Sequence, residues 1–138
     1  MEMFKSFDIS ASALTMQRLR MDTIAQNVAN VDTPRYRRRM VEVQEARSNK
    51  PFSSYLAESS KALEGVKVSR IVEDPAPFKL VYDPTHPDAD EDGYVRMSNV
   101  DILKEMVDMI SATRSYEANV TILNGSKNMA MAALEIGK

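Results

Sequence analysis

The acidic run Asp88-Ala89-Asp90-Glu91-Asp92-Gly93 has residue types and spacing found in calcium-binding loops. Asp88, Asp90 and Asp92 would supply carboxylates at alternate positions, and Gly93 would allow a sharp turn. The second half of the pattern is missing, because Asn99 stands where a bidentate glutamate should close the loop, and prolines interrupt the segment that should enter it as a helix. The run therefore favours an acidic hairpin turn. Asp88, Asp90 and Asp92 are only weak calcium candidates, and no bound metal is expected.

A basic run, Arg35-Tyr36-Arg37-Arg38-Arg39, could hold phosphate groups. Guanidinium groups pair equally well with carboxylates. The chain has 20 acidic and 18 basic residues and a formal net charge of -2, so no global field attracts nucleic acid, and a second copy of the chain could supply carboxylates. We expect Arg35, Arg37, Arg38 and Arg39 to form salt bridges within the chain or between subunits, with no nucleic-acid partner.

No residue pattern supports catalysis. His86 is the single histidine and lies in a proline-rich turn, and the chain has no cysteine. The sequence also lacks a glycine-rich phosphate loop and a GxSxG nucleophile turn. We therefore expect no catalytic residues, no cofactor and no enzymatic activity.

The N-terminal part predicts one amphipathic helix from Asp8 to Val31, which has neither proline nor glycine. Its apolar residues recur at steps of three and four, and the packing residues are Leu14, Met21, Ile24 and Val28. Pro34 predicts the end of the helix, because a proline ring disfavours helical geometry at Thr33.

The C-terminal part predicts a longer helix that starts at a capping box, Ser98 to Asp101. Its apolar seam follows a heptad pattern, with the packing residues Met106, Met109, Val120, Leu123 and Leu134. At ~1.5 Å per residue this helix would be roughly 57 Å long, whereas the N-terminal helix would cover only roughly 35 Å. We therefore expect neighbouring chains to cover part of the seam.

The segment between the helices predicts two to four short strands between Val66 and Val95, separated by prolines and Gly93. The predicted fold is mainly α with a small β region. Residues 1–34 and 98–138 would pair as an antiparallel coiled coil, and residues 35–97 would form a β-rich middle with an exposed loop at about 46–65.

Both ends of the chain resemble the flagellar rod and hook axial proteins. The N-terminal motif runs from Ser12 to Arg20 and then from Asn27 through Asn30 and Thr33-Pro34 to Tyr36; the C-terminal motif runs from Ser111 to Val120. The middle segment, with Pro75-Ala76-Pro77-Phe78 and Gly93-Tyr94-Val95, resembles the proximal rod members of this family more than the others. Arg35 departs from the family pattern, which usually has glycine there, and would make a turn with positive φ less comfortable.

The resemblance implies a structural subunit of the flagellar basal-body rod, which spans the periplasm. The subunit would polymerise through its terminal helices, help to form the drive shaft that transmits torque, and enclose the export channel. It would be exported unfolded through the flagellar export apparatus without a cleaved signal peptide, and no insertion into the membrane is expected.

The partners that the resemblance implies are copies of the chain itself, the rod proteins FlgB, FlgF and FlgG, and the adaptor FliE. The motif residues carried over from the family are Asn27, Asn30, Thr33, Pro34, Tyr36, Tyr116 and Asn119. Apart from the resemblance, the residues also allow a coiled-coil scaffold or regulatory module that acts in the cytoplasm.

Overall fold

The computed structural model describes residues 2–46 and 65–136 and confirms a mainly α fold with a small β region. Along the chain, four strands lie between two long helices. The elements are α1 (Glu2–Ala29), β1 (Arg39–Glu45), β2 (Val66–Glu73), β3 (Lys79–Tyr82), β4 (Tyr94–Met97) and α2 (Ile102–Ile136).

Helix α1 is longer than the apolar spacing predicts, because it begins at Glu2 and not near Asp8. Nothing between these residues breaks a helix, since the segment contains neither proline nor glycine. The helix ends at Ala29, and the backbone N–H of Asn30 is shared between two carbonyls, those of Gln26 and Asn27, each at 3.2 Å. The helix therefore ends before Pro34, and residues 30–35 form a turn.

Helix α2 is capped by Asp101, so the predicted cap at Ser98 is wrong. The Asp101 carboxylate accepts the backbone N–H of Leu103 at 3.0 Å, and its carbonyl accepts that of Glu105 at 2.9 Å. This is the geometry of an N-cap residue. The Ser98 hydroxyl instead accepts the N–H of Val100 at 3.1 Å, in a turn before the helix.

The two helices run antiparallel. Asn27 of α1 bonds to Glu105 of α2 at 2.9 Å, and Met21 accepts a hydrogen bond from Thr113 at 3.6 Å. Residue numbers therefore decrease along α1 in the direction in which they increase along α2. With 28 residues, α1 is roughly 42 Å long and covers most of the length of α2, which has 35 residues and is roughly 52 Å long. Helix α2 is longer than α1, as predicted, but only by roughly 10 Å where roughly 22 Å was expected. What α1 leaves uncovered is mainly one face of α2.

The buried side chains of α2 are small or polar. Its buried residues are Glu105, Ala112 and Ser126, at heptad positions one residue before the predicted Met106 and Leu134. Met106 is 54% exposed and Leu134 74% exposed, so neither lies in the interface within the chain. The buried residues follow a heptad spacing, one repeat position before that of Met106 and Leu134. Any role of Met106 and Leu134 in packing between subunits stays a prediction.

The remaining predicted packing residues are at least partly covered. Ile24 is buried, and the others are half-buried: Leu14, Met21, Val28, Met109, Val120 and Leu123. Among the described residues only four apolar side chains are buried, namely Ile24, Val95, Val100 and Ala112. Such a small apolar core gives little hydrophobic stabilisation, since burial of each large side chain contributes about 1.5–3 kcal/mol.

The strands form two separate antiparallel pairs. β1 pairs with β2 from Arg39 opposite Glu73 to Glu45 opposite Val66, with a bulge after Glu42. β3 pairs with β4 from Lys79 opposite Met97 to Tyr82 opposite Tyr94. The β1–β2 pair contacts α1, whereas among the described elements the β3–β4 hairpin contacts neither helix and not the other pair. β1 lies before the segment in which strands were predicted.

Gly65 lies against α1 where β2 begins. The Ser12 hydroxyl accepts the N–H of Val66 at 3.1 Å, and a Cβ on Gly65 would collide with that hydroxyl and lie 3.3 Å from the Ile9 Cα. Of the predicted loop at 46–65, only its two ends are described, and the Ala46 N–H bonds to the Gly65 carbonyl at 2.9 Å. The rest of that prediction lies outside the described residues.

Replacing Gly65 with alanine should destabilise the chain by about 1–3 kcal/mol, since overpacking forces neighbouring atoms to move. Gly125 is the matched control, because a Cβ there meets no atom within 4 Å among the described residues. Gly125→Ala should stabilise helix α2 by up to about 1 kcal/mol. Urea unfolding of the two variants checks the pair, and equal shifts would contradict the collision.

The described helices contain no stretch apolar enough to cross a membrane.

Candidate assembly interface

Asn27 joins α1 to both β1 and α2. It is fully buried, and its amide donates to Glu105 Oε2 at 2.9 Å and to the Arg39 carbonyl at 2.8 Å. Its amide oxygen accepts from the Arg39 N–H at 2.9 Å and from the Tyr36 hydroxyl at 3.2 Å. An asparagine side chain offers two donor hydrogens and one acceptor oxygen with two lone pairs, so all are used. Asn27 therefore fixes the turn after α1 to the start of α2.

Arg38 adds a buried ion cluster beside Asn27. Its Nε lies 2.5 Å from Glu105 Oε1, and its terminal nitrogens lie 3.0 Å from Asp108 Oδ2 and 3.7 Å from Asp74 Oδ2. Burial lowers the pKa of Arg38, but the hydrogen bond to Glu105 and the nearby carboxylates outweigh burial, so the pKa is raised. Arg38 thus forms its salt bridges within its own chain, which is one of the two alternatives predicted for it.

The other arginines of the run have different surroundings. Arg37 donates to the Asp74 carbonyl at 3.2 Å, and its guanidinium lies 4.6 Å from the centre of the Phe78 ring. Arg39 is exposed and lies over Tyr36. Arg35 has a φ of 59°, the conformation for which glycine is usual, and its N–H bonds to the Arg96 carbonyl at 2.8 Å. A non-glycine residue in this left-handed conformation is destabilised by roughly 1–2 kcal/mol. The backbone strain predicted at Arg35 is therefore present.

The remaining motif residues serve local structure. The Asn30 amide donates to the Gln26 carbonyl at 2.8 Å, and the Thr33 hydroxyl donates to Asn30 Oδ1 at 3.3 Å; Pro34 follows in the same turn. On α2 the Asn119 amide donates to the Ser115 carbonyl at 3.0 Å, and Tyr116 is half-buried. Of the predicted motif residues, the structure brings only Asn27 and Tyr36 together with the ion cluster.

Sequence reasoning missed Glu105 and Asp108. Both lie one residue before a predicted packing methionine, at a spacing of three, so they share one side of α2. Carboxylates at seam positions require a counter-charge when they are buried. The run of arginines could supply this counter-charge, and that match could have identified Glu105 and Asp108 from the sequence.

The acidic run forms a turn between β3 and β4. Asp90 Oδ1 accepts the Tyr94 N–H at 2.8 Å, and Gly93 has a φ of 80°. The Asp88 carboxylate lies 3.8 Å from His86 Nδ1. Just before the run, hydrogen bonds from Thr85 lower the pKa of Asp83. No group of three potential metal ligands occurs in the part of the chain that the structure describes, so the structure does not bring Asp88, Asp90 and Asp92 together around a common point.

Comparison with known proteins covers both ends of the fold. Residues 7–37 match the family model described as flagella basal body rod protein, and residues 91–136 match that of the flagellar basal body rod FlgEFG protein C-terminal region. The whole chain is 54% identical to the flagellar basal-body rod protein FlgC of Bacillus subtilis, and 100% of each chain is covered. The chain belongs to the FlgC family of flagellar basal-body rod proteins.

Other FlgC relatives agree over the same extent. The identity is 43% to FlgC of Borreliella burgdorferi, covering 99% of this chain and 98% of the relative. It is 41% to FlgC of Salmonella typhimurium, with 100% of each chain covered. The resemblance found in the terminal motifs is thus confirmed. The chain is a structural subunit of the basal-body rod, located in the flagellar basal body and assembled with other rod components; it is not an enzyme.

The buried ion cluster, together with Asn27 and Tyr36, connects the two segments that match the family models. Asn27 and Tyr36 lie within residues 7–37, whereas Glu105 and Asp108 lie within residues 91–136. Arg38 follows directly after the first segment and bonds to the second. In this FlgC-family chain the two ends therefore meet through buried hydrogen bonds and charges.

Proposed function

We propose that the chain polymerises by packing the outward faces of α1 and α2 onto neighbouring rod subunits. The resulting stiff tube transmits torque and encloses the export channel. Residues 1–34 and 98–138 form its inner helical part, and residues 35–97 lie outside. The FlgC family relation supports a rod subunit, and the surface of α2 supports this mode of assembly.

The exposed apolar face of α2 is the observation that carries the proposal. Four side chains near its start, here called the outer face of α2, are strongly exposed: Leu103 75%, Met106 54%, Val107 66% and Ile110 53%. Leu103, Val107 and Ile110 lie roughly opposite the buried Ala112, at ~100° per residue. Large exposed apolar patches mark interaction sites, and in water these side chains lack the burial that a neighbour would supply.

An apolar cleft adjoins this face and shares Met106 and Ile110 with it. Its cavity of about 480 Å³ lies between the end of α1 and the start of α2 and is also lined by Ile24, Val28 and Met109. A groove with such a lining suits the apolar side chains of another helix. The methionines in it adapt readily to irregular surfaces.

The partners proposed for this surface are further copies of the chain, FlgB, FlgF, FlgG and FliE. The chain reaches them in the periplasm through the flagellar export apparatus, without cleavage of a signal peptide. Passage in an unfolded state suits a chain with few buried apolar side chains, since assembly then supplies stabilisation that the isolated fold lacks.

A deletion strain tests the proposal. Cells that lack the chain should be non-motile, and their basal bodies should end before a complete rod in electron micrographs. Re-expression of the wild-type chain should restore rods, and a side-chain-resolved map should contain its helices. Complete rods in the deletion strain would disprove the proposed function. They would favour a scaffold role in the cytoplasm.

A further inference from the structure

A cationic pocket lies over the buried ion cluster. Its cavity of about 270 Å³ is lined by the exposed side chains of Arg20, Arg39 and Lys104 and by the buried pair Arg38 and Glu105. Asp108, which also lines the pocket, and Glu105 are both engaged by Arg38. The lining holds four cationic and two anionic side chains, so its formal charge is positive.

The exposed cations of this pocket have no carboxylate partner within the described residues. The salt bridges of the described residues engage Arg38, Arg70 and His86, but not Arg20, Arg39 or Lys104. Like charges held close together repel one another, and an opposite charge placed between them would be attracted by all three. The pocket therefore suits a carboxylate-bearing segment. Its volume equals that of about nine water molecules at ~30 Å³ each.

The same chain carries a matching acidic segment at the tip of the β3–β4 hairpin. Asp88, Asp90, Glu91 and Asp92 are all exposed. Glu91 and Asp92 make no salt bridge within the described part of the chain. No residue of the hairpin tip lines the pocket of its own chain, because the lining comes from α1, β1, α2 and Arg38. The tip therefore does not fill that pocket.

We propose that the acidic tip of the β3–β4 hairpin binds in the cationic pocket of a second copy of the chain. Glu91 and Asp92 face Arg20, Arg39 and Lys104 of the neighbouring copy. The proposal rests on the proposed function, because it names one contact through which copies join in the rod. The occupant is a second copy because one sequence supplies both members of a complementary pair that do not meet within the chain.

Such a contact joins two different surfaces, so it is heterologous. An open chain of copies therefore always has one free tip at one end and one free pocket at the other. Contacts of this kind close into rings or continue as open helical filaments. Charge complementarity also fixes which neighbour and which orientation are accepted. The geometry thus suits stepwise growth of a helical rod.

Cross-linking in assembled rods tests the contact. The natural chain has no cysteine, so Met40→Cys in the pocket lining and Ala89→Cys in the hairpin tip introduce the only two thiols without removing a charge. Basal bodies isolated from cells that produce this double variant are oxidised mildly and run on a non-reducing gel. We expect dimers and higher multimers of the chain. In the control, Ala89→Cys combined with Ala132→Cys near the far end of α2, no multimers should form.

A charge exchange in the same background tests the recognition. Arg20→Glu with Lys104→Glu should lower the multimer yield severalfold, and adding Glu91→Lys with Asp92→Lys should restore it. If neither the charge-reversed variant nor the compensated variant changes the yield of multimers, recognition by charge is excluded. Rods that contain the chain but give only monomers, including monomers with an internal disulfide, would overturn the contact while the proposed function stands. Absence of the chain from the rods would overturn both.

Discussion

Replacement of Glu105 with glutamine is expected to destabilise the isolated chain by about 3–5 kcal/mol. Glu105 is fully buried and binds Arg38 at 2.5 Å and Asn27 at 2.9 Å. Removing one partner of a buried ion pair costs about 3–5 kcal/mol, because the other charge stays buried with less compensation. Domains are stable by only about 5–15 kcal/mol, and this chain buries few apolar side chains. Urea unfolding followed by circular dichroism measures the loss.

Glu42→Gln is the matched control for this prediction. Glu42 also forms a close ion pair, 2.6 Å from Arg70 Nε, but both side chains are largely exposed, at 48% and 69%. Exposed pairs contribute about 0–1 kcal/mol, so this variant should unfold at nearly the wild-type urea concentration. If Glu105→Gln behaves like Glu42→Gln, the buried cluster does not hold the two ends of the chain together.

The second large effect is expected at the outer face of α2. Val107→Asp should abolish rod assembly and motility, because the side chain is 66% exposed in the isolated chain and would be buried against a neighbour in the rod. A carboxylate transferred to an apolar contact without a partner costs several kcal/mol. An exposed substitution on a helix changes folding by only about 0.5 kcal/mol. Swarming assays and electron microscopy of basal bodies measure the first effect, and thermal unfolding measures the second.

The control on the same helix is Thr121→Asp. Thr121 is exposed on the outward side, nine residues after the buried Ala112. The residues one turn away from it on the helix are polar or small, namely Glu117, Ala118, Asn124 and Gly125. The same carboxylate should be tolerated there, and cells should stay motile. A motile Val107→Asp strain would exclude the outer face of α2 as an assembly contact.

The terminal helices could be predicted because their signals are local. Helix formers run without interruption along each end, and Pro34 stops the first helix by steric effects on the residue before it. The start of α1 was placed late because residues 2–7 lack the apolar spacing, although they contain nothing that prevents a helix. The cap at Asp101 was missed because a serine three residues earlier also fits the capping pattern.

The candidate site could not be derived in the same way. The Asn27–Glu105 bond joins residues 78 positions apart, and no local pattern encodes such a contact. Apolar periodicity also misjudged part of the buried side of α2, because the buried residues there, Glu105, Ala112 and Ser126, are small or polar. Met106 and Leu134 are exposed instead, whereas Met109, Val120 and Leu123 are half-buried. Strand β1 was missed for a related reason, since polar residues dominate RMVEVQE and its pairing with β2 is long-range.

The position of the buried cluster decides how the helix pair opens. Asn27, Arg38 and Glu105 lie where α1 ends and α2 begins, and the start of α1 and the end of α2 lie at the opposite end of the antiparallel pair. Towards that opposite end the buried residues of the two helices are small, namely Ser10 on α1 and Ser126 on α2. Local opening of lowest free energy therefore starts at the two termini together and stops at the cluster. A subunit arriving at a growing rod would meet its neighbours with helix ends that separate readily and a turn that stays closed.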